Sequence, residues 1–495
     1  LGITKATQRP VMIVTTSGSA VTNVLPAITE AAHSFHNLII CTADRPQRLR
    51  GTCANQTINQ VGIFNNALAE LQLPESQDNQ SVFLEDLKQS FIKQRSVGGP
   101  IHINCPLEDP VSHPYNPNTA SELPIPAISK QVQEHSALPQ PIITQIEAAQ
   151  LGVLCIGQTE PFVDSSELLA IIKHFNWPTI VDATQYPAKA LPNVAQSADD
   201  AALVLGKHNP DVIVYIGGPW VSKKMAQYLE ANASKVIHLT QSYPPVAPLP
   251  NKSIHAAPNE LLRIKPLPSQ GVDIEGVNKI TQMRLSELPS TSEFSQVSQW
   301  LMHVSVTVDC FISNSLPIRY VDQLVLPNVN QMYCNRGASG IDGNIATVIG
   351  LCLEPSDTPL LAIVGDLAAL YDLNAFLMMD RVKRPLTIVI INNGGGCIFE
   401  RLPIATQYEQ FDEHFKLGNN NTIYSSVYIT GDTEIGEGNS FYPFSSIGAV
   451  PQDLKFQGEK SKLIIGDDNT FREHSTANPG TSGDNMRTVI GNSSL

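Results

Sequence analysis

Leu361-Ala362-Ile363-Val364-Gly365-Asp366 is followed 27 residues later by Asn393, inside Ile390-Ile391-Asn392-Asn393-Gly394-Gly395-Gly396. The first run is apolar up to its Gly-Asp end, the pattern of a buried parallel strand that carries a carboxylate to its carboxyl terminus. Leu386 to Ile391 repeats the pattern and ends in an amide side chain and three glycines. Between the runs, Leu373, Phe376 and Leu377 fall at helical spacing, which predicts a strand–helix–strand unit. In such a unit both strand ends open into one crevice, where α/β folds bind ligands. A carboxylate, an amide oxygen and a backbone carbonyl are hard oxygen donors, suited to Mg²⁺, which takes few protein ligands and completes its shell with substrate phosphates. The expected chemistry is a diphosphate held through a metal.

Upstream of this unit the chain alternates strands and helices. Val11–Thr15, a helix from about Ala20 to Ser34, Leu38–Thr42 and Ile101–Asn104 form a first α/β block, followed by a proline-rich linker from Pro110 to Pro141. Gly152–Gly157, Pro178–Asp182 and Asp211–Gly217 open a second block that ends near Leu262. A third begins near Glu293 and holds the Gly-Asp…Asn-Asn unit. At about Asn419 the texture changes. Ile423, Ile429, Ile435, Phe441 and Ile447 stand six residues apart, and Ile465, Phe471 and Ala477 resume the period after an insertion. A six-residue apolar ladder predicts a hexapeptide β-helix of about four short coils.

With 495 residues, 42% hydrophobic and 16% charged, the composition is that of a multidomain globular protein. A net charge of −14 argues against nucleic-acid or anionic-membrane partners, while a pocket lined by a few arginines can still take anionic substrates. The eight cysteines are scattered, without a CxxC pair, as expected for reduced thiols in a cytoplasmic protein. No apolar run is long enough to span a membrane, and no signal peptide is visible.

Eight blocks, in order, resemble the thiamine-diphosphate-dependent enzymes, and among them the SEPHCHC synthase family of menaquinone biosynthesis. They are Thr16–Asn23, Thr42-Ala43-Asp44-Arg45-Pro46, Ala54-Asn55-Gln56, Ile101–Pro106, Ser313-Asn314-Ser315 with Arg319, Asn335–Gly343, Gly365-Asp366-Leu367 with Tyr371–Asn374, and Asn392-Asn393 with Ile398-Phe399. The resemblance implies an α/β fold of three parallel-sheet domains: a pyrimidine-binding domain over 1–125, a central domain over 140–265 and a diphosphate-binding domain over 293–418. A short left-handed β-helix segment would follow over 419–495. The tail is similar to the UDP-N-acetylglucosamine acyltransferases, through Glu434–Asn439, Tyr442–Gly448, Pro451–Lys455 and Lys462–Gly466.

By the same resemblance, Asp366, Asn393 and the Gly395 carbonyl hold Mg²⁺ or Mn²⁺, Gly365 and Ile341 contact thiamine diphosphate, and Ile341 bends it into its reactive shape. The substrates implied are 2-oxoglutarate and isochorismate, both multiply anionic. Guanidinium groups bind carboxylates in planar, bidentate fashion, which suits Arg45, Arg319 and Arg336, with Ser315, Asn55 and Gln56 as hydrogen-bonding partners. Ile398, Phe399 and Leu402 form an apolar wall. The family's activating glutamate lies upstream of the segment that begins at Leu1, so no residue here is assigned to it. A chain without it is expected to be impaired, because positioned proton transfer contributes about 10²–10⁴-fold. In the tail, Asp453 and Lys455 match the acyltransferases, whose catalytic histidine would lie beyond Leu495; His474 is expected to be a coil residue. The thiamine fold implies dimers or tetramers, the β-helix trimers. Rival readings are another 2-keto acid decarboxylase or ligase, a non-catalytic assembly module, and an acyl-carrier-dependent sugar-nucleotide acyltransferase.

Overall fold

The computed structural model describes residues 1–74, 79–108, 137–161, 163–185, 188–241, 253–326, 328–399, 416–454 and 456–492. The chain is mixed α/β with several parallel sheets, and it divides into two compact units, Leu1–Gly396 and Cys397–Leu495.

The first unit holds three sheets. In the first, β1 (Val11–Thr15), β2 (Leu38–Asp44), β3 (Ala69–Gln72) and β4 (Ile101–Pro106) run in the order β1-β2-β4-β3, all parallel. The helix expected from Ala20 to Ser34 is two helices, Ser19–Thr22 and Leu25–His33, with Pro26 in the first turn of the second, where its missing N–H costs nothing. The second sheet holds β5 (Gly152–Ile156), β6 (Thr179–Val181), β7 (Val212–Ile216), β8 (Val236–Thr240) and β9 (Ser253–His255) in the order β6-β5-β7-β8-β9. Its β5, β7 and β8 are buried at every position, the mark of a parallel sheet covered on both faces. Strand order reverses between β5 and β7, and there the loops after the two strands are joined: the Gly218 N–H donates to the Gln158 carbonyl at 2.6 Å.

The third sheet carries β10 (Val308–Ile312), β11 (Val329–Tyr333), β12 (Leu360–Gly365) and β13 (Leu386–Ile391) in the order β11-β10-β12-β13. Gly365 pairs with Ile391, so the ends of the two diagnostic apolar runs lie side by side. The link between them is not one helix. It is a short α-helix, Asp366–Tyr371, followed by a 3₁₀ run, Leu373–Arg381, which leaves Leu373 and Leu377 exposed.

First and third blocks are locked together. Gly2 lies so close to the helix Asn344–Leu351 that a Cβ there would overlap the Thr347 carbonyl. The buried Lys5 ammonium donates to the Cys334 carbonyl at 2.8 Å. The second and third blocks are joined by a buried pair, Lys189 and Asp322, and by Arg284, which reaches both Asp200 (2.8 Å) and the Gln323 side chain (2.9 Å).

In the second unit, β14 (Lys416–Leu417) to β23 (Arg487–Ile490) form three parallel sheets, each taking every third strand: β14 with β17 (Thr433–Ile435), β20 (Lys462–Ile465) and β23; β15 (Thr422–Ile423) with β18 (Ser440–Phe441) and β21 (Thr470–Phe471); β16 (Tyr428–Ile429) with β19 (Ser446–Ile447) and β22 (Thr476–Ala477). The apolar ladder is in register: Ile423 pairs with Phe441 and that with Phe471, while Ile429 pairs with Ile447 and that with Ala477. Phe441 and Phe471 stack at 5.0 Å. Asn439 and Asn469, both buried, each present a backbone N–H to the side-chain oxygen of the asparagine one turn below, at 2.7 and 2.8 Å.

Candidate active site at the strand ends of the third sheet

Strand order in the third sheet reverses between β10 and β12, and the loops leaving these strands hold most of the polar residues singled out by sequence. Asp366 directly follows β12. Its Oδ1 accepts the Leu367 N–H at 2.8 Å, which fixes the carboxylate at the strand end. Asn393 follows β13; its Nδ2 donates to Glu293 Oε1 at 3.3 Å and its Oδ1 accepts the Gly395 N–H at 3.2 Å. Gly394, Gly395 and Gly396 have φ of +81°, +81° and +70°, three successive left-handed residues that only glycine adopts without strain. A Cβ on Gly395 would stand 3.1 Å from the Leu367 side chain, so this glycine loop lies against the first turn after β12, and the Asp366 and Asn393–Gly395 segments leave neighbouring strand ends. Above Gly365 there is space: a Cβ there would meet nothing within 4 Å.

Asn314, between β10 and the helix Leu316–Val321, ties the neighbouring loops together. Its Nδ2 donates to the carbonyls of Asn335 (2.6 Å) and Gly340 (2.7 Å), and its Oδ1 accepts from Arg336 Nη1 at 3.1 Å. Ser313 Oγ accepts the Gly365 N–H at 3.2 Å. Ser315 is left-handed, φ +72°, and its carbonyl accepts from Arg319 Nη1 at 2.5 Å. Ile341 is half-buried against the third block's core, and its carbonyl accepts from Asn344 Nδ2 at 2.6 Å. Ser315, Arg319, Arg336 and Ile341 thus belong to one connected loop cluster beside Asp366.

A second group sits on the first block. Arg45 follows β2, and its Nε donates to the Asn55 carbonyl at 3.2 Å. Gln56 is left-handed, φ +55°, and neighbours the turn at Gly18, where a Cβ would stand 3.4 Å from it. Of the expected apolar wall, Ile398 and Phe399 fall in the second unit, and Leu402 lies outside the described residues, as does Lys455 of the tail.

The donor set passes a test for Mg²⁺: all three groups are oxygen donors, the glycine loop is shaped without side chains, and the strand end is open. Among the described residues no cluster of three or more His, Cys, Asp or Glu could hold a metal, as expected for a site with one carboxylate. No disulfide joins the eight cysteines, and burial pushes the Cys105, Cys334 and Cys352 thiols up to about 11, leaving little thiolate at these three near neutrality.

Sequence reasoning missed Glu30, Glu293 and Asn314. Glu30 is buried on the helix Leu25–His33, and its two carboxylate oxygens accept the N–H groups of Gly337 (2.8 Å) and Ala338 (2.7 Å), next to Arg336. The only signal was a carboxylate set among apolar residues of a helix. Glu30→Ala removes two charge-assisted bonds, each worth about 1.5–3 kcal/mol. It is expected to lower the unfolding free energy by about 3 kcal/mol, read from urea midpoints, and to loosen the 335–343 loop in hydrogen exchange.

No family model matches the chain. Curated relatives named 2-succinyl-5-enolpyruvyl-6-hydroxy-3-cyclohexene-1-carboxylate synthase do. The Vibrio atlanticus protein (strain LGP32) is 29% identical over 445 residues, 83% of this chain and 76% of its own. The proteins of Actinobacillus pleuropneumoniae serotype 3 (strain JL03) and Haemophilus influenzae (strain 86-028NP) are each 30% identical, over 85% of this chain and 77% of theirs.

Proposed function

We propose a reaction for this chain from one premise: the chain belongs to the 2-succinyl-5-enolpyruvyl-6-hydroxy-3-cyclohexene-1-carboxylate synthase family, thiamine-diphosphate-dependent transferases of menaquinone biosynthesis. The reaction is decarboxylation of 2-oxoglutarate and transfer of the succinyl carbon to isochorismate. The observation that supports it is the pairing of Gly365 with Ile391 and the approach of Gly395 to Leu367, which make the Asp366 and Asn393–Gly395 segments neighbours. Domain limits follow the family: pyrimidine-binding over 1–125, central over 140–265, diphosphate-binding over 293–418.

Asp366, Asn393 and the Gly395 carbonyl would hold Mg²⁺ or Mn²⁺ against the cofactor's diphosphate, and Ile341 would pack against its rings. When bound, thiamine diphosphate supplies the carbon nucleophile and the electron sink for loss of CO₂. The chain's own residues bind and orient. Arg45, Arg319 and Arg336 take the substrate carboxylates, and Asn55, Gln56 and Ser315 accept or donate hydrogen bonds beside them. The Arg45 group and the Asp366 group would complete one site when two copies pair, which makes the working assembly even-numbered.

The test is turnover with 2-oxoglutarate and isochorismate in the presence of thiamine diphosphate and Mg²⁺. Arg45→Ala and Arg336→Ala should each lower kcat/KM by about 100-fold, from the 2–5 kcal/mol that truncating a desolvated charge pair costs. Turnover of 2-keto acids that ignores isochorismate would favour another member of the cofactor class.

A second reading concerns the tail. The in-register ladder supports a left-handed hexapeptide β-helix over 419–495, similar to the UDP-N-acetylglucosamine acyltransferases. His474 is exposed and stacks on Phe444 at 5.2 Å, which fits a side chain on a coil. Trimers in light scattering would support the tail as the assembling element; dimers or tetramers would support the synthase pairing.

A further inference from the structure

Beneath Arg45 lies a lattice of buried polar side chains that the binding roles above do not use. Gln60 is 1% exposed and Asn104 fully buried. Gln60 Oε1 accepts the Gly18 N–H at 3.0 Å, and its Nε2 donates to the Ala43 carbonyl (3.0 Å) and to Asn104 Oδ1 (2.9 Å). Asn104 Nδ2 donates in turn to Asp44 Oδ2 at 2.8 Å. Asp44 then grips the residue after it: its Oδ1 accepts the Arg45 N–H at 2.8 Å, and its Oδ2 pairs with Arg50 Nε at 3.2 Å. That same Arg50 Nε donates to the Arg45 carbonyl at 3.0 Å.

Both backbone groups of Arg45 are therefore held from one buried source. Gln60 adds a second hold, on the Gly18 turn, which neighbours the left-handed Gln56: a Cβ on Gly18 would stand 3.4 Å from Gln56. Three segments distant in sequence (the turn after β1, the end of β2 and the 54–60 turn) are fixed relative to one another by one side chain. A buried polar lattice gives little net stability over an apolar core of the same shape, but it admits one geometry only. Supporting shells of this kind set binding groups to within about 0.5 Å.

We infer that Gln60, acting through Asn104 and Asp44, is a positioning residue that sets the pose of Arg45 and Gln56 for an anionic carboxylic acid substrate. The inference rests on the substrate role given to Arg45 above. Gln60→Met keeps the volume and removes all three bonds; Gln60→Glu keeps the acceptor for Gly18 and loses both donors.

The experiment has two arms, both in the full chain. In steady-state turnover, Gln60→Met should raise KM for 2-oxoglutarate or isochorismate at least tenfold with kcat within threefold, and Gln60→Glu should do the same. Equal KM in variants that unfold at the wild-type midpoint would overturn the inference. The second arm is amide hydrogen exchange, which needs no turnover. Faster exchange at Arg45 and Gly18 in Gln60→Met, with β5–β9 unchanged, is expected, and unchanged exchange at both overturns the proposal. If Arg45→Ala leaves KM untouched, the substrate reading fails separately, whatever Gln60 does.

Discussion

Asp366→Ala should abolish saturable binding of thiamine diphosphate in the presence of Mg²⁺, measured by calorimetry, while the apo protein stays folded. The two halves of this expectation have different causes. The carboxylate is the one formal negative charge in a donor set otherwise made of an amide oxygen and a backbone carbonyl, so it dominates the attraction for a divalent cation. Even residues one shell away from a metal cost about 10–100-fold in affinity when removed, so a direct ligand should cost more than 100-fold. Stability depends on Asp366 far less. In the protein its side chain accepts one partly exposed bond, from the Leu367 N–H, worth about 1 kcal/mol. The wild-type chain should also gain about 2.7 kcal/mol of unfolding free energy at a cofactor concentration 100 times Kd, and the variant none. Binding that survives in Asp366→Ala would remove the metal from this strand end. Asp366→Asn, which keeps one oxygen donor and loses the charge, should fall between the two.

The strand end at Gly365 was legible because β12, buried up to its last residue, has to be apolar throughout. β13 was legible from the same apolar composition, although it is an edge strand with Thr387 and Ile390 exposed, and glycines mark the turn beyond it. The tail's period was legible for a related reason: inward residues stack in register, so spacing along the chain repeats spacing in space. Short or polar strands were not visible. β3 reads Ala-Glu-Leu-Gln, and β11 carries Asn330 and Gln331, at sheet edges where burial places no demand on every residue. The helical spacing of Leu373, Phe376 and Leu377 misled, since Asp372 leaves helical geometry and its side chain accepts the Ala346 N–H at 2.7 Å. The buried polar residues were hardest. Glu30 meets Gly337 across 307 positions and Gln60 meets Asn104 across 44, and no local periodicity carries such a partner. Arg45, Arg319 and Arg336 could be proposed as substrate residues only because their surrounding motifs are specific; an arginine alone signals nothing about a carboxylate partner.

Removing either member of the Lys189–Asp322 pair should destabilise the first unit by about 3–5 kcal/mol, whereas replacing both with leucine or methionine should be neutral or stabilising. The Lys189 side chain is 0% exposed and that of Asp322 6% exposed. The ammonium donates to both the carbonyl and the carboxylate of Asp322 and, at 3.2 Å, to the Gln196 carbonyl. Burial pushes the Asp322 carboxyl up to about 6 against the pull of Lys189, so desolvation outweighs the attraction within the pair. Its role is then to fix how the second block meets the third, not to add stability. A raised acid carries a definite sign: its contribution is full below its unfolded value of 3.8 and is lost as pH rises through the folded value. In Lys189→Met the carboxyl loses its partner and rises further, so the penalty of that variant should be larger at pH 8 than at pH 5. Urea midpoints at both values give the comparison. A penalty independent of pH would mean that Asp322 escapes to solvent when Lys189 is gone. A strongly destabilised double variant would mean that the pair, and not the packing around it, holds the second and third blocks together.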